Sequence, residues 1–149
     1  MQRRRILLLS IWLTLIAGAV EAGPTSQTVW SGLVIANNVA QPEPVPAELT
    51  KIGDTLKELF GYNQFTVIGQ SHKALVTGSE DWMAHSKYFS LLVDSKEGND
   101  KNGYRLDLKL FQEKSLLLET EAKLSKASPL IIKGPLVGNG QLLLVLVVQ

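Results

Sequence analysis

Tyr104, Leu106, Leu108 and Leu110 alternate with Arg105, Asp107 and Lys109. After a Glu113-Lys114 break the same rhythm returns: Leu118, Thr120, Ala122 and Leu124 stand against Glu119, Glu121 and Lys123. A repeat of two is the period of a strand, whose successive side chains point to opposite faces; a helix repeats every 3.6 residues. Tyr104–Gln112 and Ser115–Leu124 are therefore predicted to pair antiparallel as a hairpin with one wet face. Farther on, Leu142–Val148 is an unbroken apolar run. It is too short for a spanning helix and reads as a central strand buried on both faces. These Leu-rich runs predict a sheet that closes or folds over on itself. An outer-membrane barrel would need aromatic girdles, and 7% aromatic residues do not supply them.

The rest of the chain supplies more strands and one helix. In Thr28–Val39, Val29, Leu33 and Ile35 fall on one face, with Trp30 and Val34 on the other. Ala40–Pro46 is a polyproline-like connector that cannot join a ladder. Leu49, Ile52, Leu56, Leu59 and Phe60 then recur at helical spacing, predicting one amphipathic helix over about 46–60, with Gly61 as its left-handed cap. Gln64–Ile68 and Ser71–Thr77 read as two short strands separated at Gly69, and Tyr88–Val93 as another. The polar run Asp94–Gly103 reads as a solvated loop. Leu130–Lys133 reads as a short strand stopped by Gly134-Pro135, and Gly138-Asn139-Gly140 as a turn. The expected fold class is α+β: a largely antiparallel sheet of about six to eight strands with the 46–60 helix packed on it.

Residues 1–22 carry a three-part pattern. Arg3, Arg4 and Arg5 precede an apolar core from Ile6 to Val20, and small residues suit cleavage after Ala22 or Ala19. This predicts a cleavable secretory signal peptide, then a flexible stretch at 23–27 and a single domain over 28–149. There is no cysteine among the 149 residues, so no disulfide, thiolate metal site or lipidated cysteine can form. A cysteine-free exported domain fits the periplasm or secretion from a bacterium. Net charge is +1 and three arginines sit in the leader, which excludes the basic excess of a nucleic-acid binder.

Reactive groups are sparse. Glu80, Asp81, His85 and Ser86 imitate a metal or acid–base cluster within a segment that reads as a loop. A metal site needs three or four ligands, and no second histidine lies at ligand spacing. His72 reads as an exposed strand residue. Glu119 and Glu121 share a strand face at a glycosidase-like separation, but beside Lys123 they read as a solvated face. There is no Gly-x-Ser-x-Gly elbow and no Ser-x-x-Lys. The glycines of Gly134–Gly140 make a turn rather than a phosphate cradle. Trp30, Trp82 and the Gln41–Pro46 connector are the candidate docking elements.

The phrases Leu59–Phe65, Leu110–Lys114 with Leu118–Leu124, and Pro129–Pro135 ending in Gly140–Leu146 resemble those of small exported bacterial proteins with no assigned function. The resemblance covers about residues 46–149 and implies location and fold. The strand–helix–strand–strand opening is also similar, at the level of fold, to small ring-building modules of bacterial secretion and pilus assemblies.

The expectation is a non-catalytic exported module that binds another envelope protein or associates with itself through a sheet edge. It carries no catalytic, cofactor-binding or metal residue, no cofactor and no nucleic acid, and it touches no membrane after signal cleavage. The alternative is a small exported hydrolase using His85 with Asp81 or Glu80.

Overall fold

The computed structural model describes residues 27–96 and 103–149. The signal peptide expected over 1–22 lies outside them, as do residues 23–26 and residues 97–102 of the polar run expected as a loop.

Among the described residues are eight strands: β1 (Gln27–Asn37), β2 (Gln64–Leu75), β3 (Asp81–His85), β4 (Phe89–Ser95), β5 (Gly103–Gln112), β6 (Ser115–Ser125), β7 (Leu130–Val137) and β8 (Gly140–Val148). One short helix, α1 (Gly53–Phe60), follows a 3-10 turn at Ala47–Leu49. The strands form two four-stranded antiparallel sheets, sheet I in the order β2-β1-β8-β7 and sheet II in the order β3-β4-β5-β6. Each sheet neighbour is also a neighbour in sequence, except that β1 pairs with β8.

The two sheets face each other across a core of Val29 and Leu33 (β1), Leu91 and Val93 (β4), Leu106, Leu108 and Leu110 (β5), and Leu142, Leu144 and Leu146 (β8). The opposite face of sheet I is covered as well. Trp30, Val34, Leu143 and Val145 pack there against Leu49, Ile52 and Leu56. That is why β8 has no polar alternation: its odd and even positions enter different cores. Burying each such Leu or Val is worth about 1.5–3 kcal/mol.

Tight approach fixes the helix side. The Trp30 ring lies over Gly32, where an added Cβ would meet ring carbons at 2.6 and 2.8 Å. Trp30 Nε1 donates to Gln70 Oε1 at 2.8 Å, satisfying the buried indole.

Several elements differ from what the sequence predicts. The α+β expectation gives way to a mostly β fold. The helix does not span 46–60: Pro46 fixes the entry, the chain turns in 3-10 geometry, and α-helix begins only at Gly53. Leu59, assigned to the apolar stripe, is 63% exposed, although Gly61 does cap the helix at φ 69°. The two strands expected around Gly69 are one, β2, which absorbs the irregularity as a bulge between Gly69 and Val67. The segment read as a loop around His85 is strand β3. Strand β7 runs through Gly134-Pro135, which a register shift on this edge strand accommodates. Ser95, placed in a fully solvated loop, is buried and donates its hydroxyl to Gly78 O at 2.5 Å. The β5–β6 pairing, the Gly138 turn (φ 58°) and the doubly buried β8 agree with the sequence.

Candidate functional site

Sheet II has an inner face in the core and an outer face with no element packed on it among the described residues. Alternation decides what that outer face carries: Asp81, Met83 and His85 from β3; Ser90, Leu92 and Asp94 from β4; Arg105, Asp107 and Lys109 from β5; Glu119 and Glu121 from β6.

Register then brings like charges together. Asp81 pairs with Asp94, Asp94 with Asp107, and Asp107 with Glu121, so four carboxylates stand in one row across four strands. Residues directly opposite are about 4.5–5.5 Å apart at Cβ, where like charges are destabilising. Lys96 relieves one end, with Nζ 2.8 Å from Asp107 and 2.7 Å from Glu121. The hydrogen bond to Asp107, then that to Glu121, raises the Lys96 ammonium above its ordinary value. At the other end, Asp81 and Asp94 have no ion-pair partner among the described residues.

The next row reads Met83, Leu92, Lys109 and Glu119. Met83 is 48% and Leu92 37% exposed, an apolar pair beside the acidic row. Lys109 reaches Glu119 at 3.8 Å. A cleft of about 420 Å³ opens here, with Asp81, Met83, Leu92, Asp94, Asp107 and Lys109 among its walls.

The residues singled out from sequence are dispersed. Asp81 and His85 sit at opposite ends of β3, about 13 Å apart at a strand's rise per residue. Glu80 is occupied with its own loop: Oε1 accepts from Val76 N at 2.8 Å, Thr77 N at 2.7 Å and Thr77 Oγ1 at 2.9 Å. Burial pushes its carboxyl up, but these bonds, led by the backbone of Thr77, hold it below the ordinary value. Its charge in turn adds to burial in pushing the Tyr104 phenol up. His72 is exposed on β2, and the Glu119–Glu121 pair is divided between two lysines. Trp30 and Trp82 point into the two cores and are not surface anchors. The connector is pinned by Glu43 N donating to Gln64 Oε1 and Val39 N to Asn63 Oδ1. Among the described residues, no group of three or more His, Cys, Asp or Glu could hold a metal ion.

Met83, Leu92 and Asp94 were not candidates from sequence. Two lay in segments read as loop, and a row across four strands exists only once the register is known. Neither a protein-family model, nor a curated protein, nor a solved structure matches this chain.

Proposed function

We propose that this chain is a non-catalytic, exported module of the bacterial envelope, and that the outer face of sheet II docks a basic segment of another protein. The observation that carries the reading is the Asp81–Asp94–Asp107–Glu121 row beside exposed Met83 and Leu92. Lys96 pairs with Asp107 and Glu121, but Asp81 and Asp94 face each other with no ion-pair partner among the described residues, and stability gains nothing from that. A partner presenting Lys or Arg with an interleaved apolar side chain gains both charge complementarity and burial of the methionine–leucine pair. On sheet I the centre of the outer face is covered by Leu49, Ile52 and Leu56. A face also serves better than an edge: the edge of β2 lies against β3, where Gly69 abuts the His85 carbonyl. The hydrolase alternative has less support, since Asp81 and His85 are held apart on one strand and Glu80 is engaged by Val76 and Thr77.

The test is a titration of the full chain with a Lys/Leu-alternating peptide. Binding should weaken at least tenfold in a D81N/D94N variant and fall steeply with salt. A Glu/Leu peptide should not bind. Equal binding of both peptides, or an unaffected double variant, overturns the reading. Intact Met1 on protein recovered from cytosol overturns the export half. Hydrolytic activity that vanishes in His85→Ala overturns the non-catalytic half.

A further inference from the structure

Three ladders of the fold slip register, and all slip toward the end of the molecule that carries the β1–β2, β3–β4, β5–β6 and β7–β8 connections. The slips fall at Leu33/Val34 against β2, Leu110/Phe111 against β6, and Lys133/Leu136 against β8. A bulge leaves a residue outside the ladder and re-aims its side chain; bulges concentrate at rims and binding sites. Here the residues left out are apolar in two cases, Ile68 and Leu117, and the third slip is followed by Leu136. They are 36%, 41% and 75% exposed. Tyr88, in the β3–β4 turn at the same end, is 52% exposed.

A cleft of about 340 Å³ opens at this end, walled by Ile35, Ile68, Tyr88, Phe89 and Val137, with Lys87 as its one charged lining residue among those described. The walls come from β1, β2, the β3–β4 turn, β4 and β7, so residues of both sheets border an open, shallow groove, with Ser86 as a further polar lining residue. Its volume lies in the range of small-molecule sites, roughly 300–1,000 Å³. Lys87 Nζ stands 5.2 Å from the Tyr88 ring centroid and makes no ion pair among the described residues. The carboxylate of the neighbouring turn is Glu113, whose backbone N–H donates to Tyr88 O at 2.9 Å; its side chain makes no ion pair with Lys87.

We propose that this cleft binds a single anionic amphiphile. The aliphatic chain lies against Ile35, Ile68, Phe89 and Val137, and the acidic head meets the Lys87 ammonium over the Tyr88 ring. The apolar walls suit a hydrocarbon occupant, and Lys87, the one cation lining the groove among the described residues, favours an acidic head. This site is at the rim and independent of the acidic face of sheet II.

The experiment uses the full chain and decanoate below its micelle concentration, followed by calorimetry and by the methyl shifts of Ile68 and Val137. Decanoate should bind, moving both methyl signals, and decyltrimethylammonium should bind at least tenfold more weakly. K87E should reverse that preference, and I68E should abolish decanoate binding while the variant retains the wild-type unfolding curve. D81N/D94N should leave decanoate binding unchanged, which separates this proposal from the docking face. Absence of decanoate binding, equal affinity for both head-group signs, or methyl shifts that do not include Ile68 overturns it. Sedimentation with phosphatidylglycerol vesicles in the absence of decanoate binding also overturns it, in favour of a bilayer surface.

Discussion

Trp82 donates its indole N–H to Ser31 Oγ at 2.8 Å, a bond that crosses from sheet II to sheet I through the core. Directly opposite Ser31 in the β1–β2 ladder is Ser71, whose hydroxyl is buried with no partner. The two serines should respond oppositely to truncation. Ser31→Ala strands the indole N–H and should cost about 1–3 kcal/mol, whereas Ser71→Ala removes an unsatisfied group and should be neutral or stabilising. Denaturant unfolding of both variants checks the contrast.

Gly32→Ala should destabilise by about 1–3 kcal/mol, because the new methyl group meets the ring of Trp30, which is fully buried. Its signature should be a changed near-ultraviolet dichroism with the far-ultraviolet spectrum preserved. Unchanged unfolding would show that the indole can slide aside.

Glu80 should make stability pH-dependent in the acid range. Its folded carboxyl titrates below the ordinary value, so its contribution is complete at neutral pH. It is lost as pH falls from the ordinary Glu value of about 4.3 through the lower folded value. Glu80→Gln should flatten that acid limb and loosen the Val76–Thr77 loop, with little difference between variants once both are protonated. Melting curves from pH 7 down to about pH 2.5 read this directly.

Asp94→Asn should stabilise the fold, by about 0.2–1 kcal/mol, since it stands between Asp81 and Asp107 and interrupts the row. The same change should weaken capture of a basic peptide. A substitution that raises the melting temperature and lowers affinity is the signature of a row retained for binding; a loss in both would assign Asp94 a structural role.

Much of this fold is written in local pattern. The β5–β6 register follows from strict alternation, and Gly61 and Gly138 adopt the positive φ that their positions ask for. What was not legible depends on partners far away in sequence. Strand β3 escaped notice because it buries Ala84 and exposes Met83, inverting the usual order of size; only the Trp82–Ser31 bond and the β4 ladder explain the choice. Leu59 fits the helical stripe yet faces water, because its neighbour Phe60, four residues after Leu56, is the one that packs on the core at the helix end. The folding of the sheet onto itself is foreshadowed by the Leu-rich runs near the C-terminus, among them β8, whose unbroken apolar run demands cover on both sides. The carboxylate row was invisible for a simpler reason: its four members come from four strands, and each by itself is an ordinary polar position.

The pairing of β1 with β8 has a bearing on how the chain comes into being. Strand β1 precedes every other described strand in the chain yet is flanked by β8, which follows them all, and it presents Leu33 to one core and Trp30 to the other. Until the nine residues of Gly140–Val148 have been synthesised, neither layer can be completed around it. A nascent chain stalled before Gly140 should therefore be a chaperone client, with β1 and β7 lacking the strand that joins them.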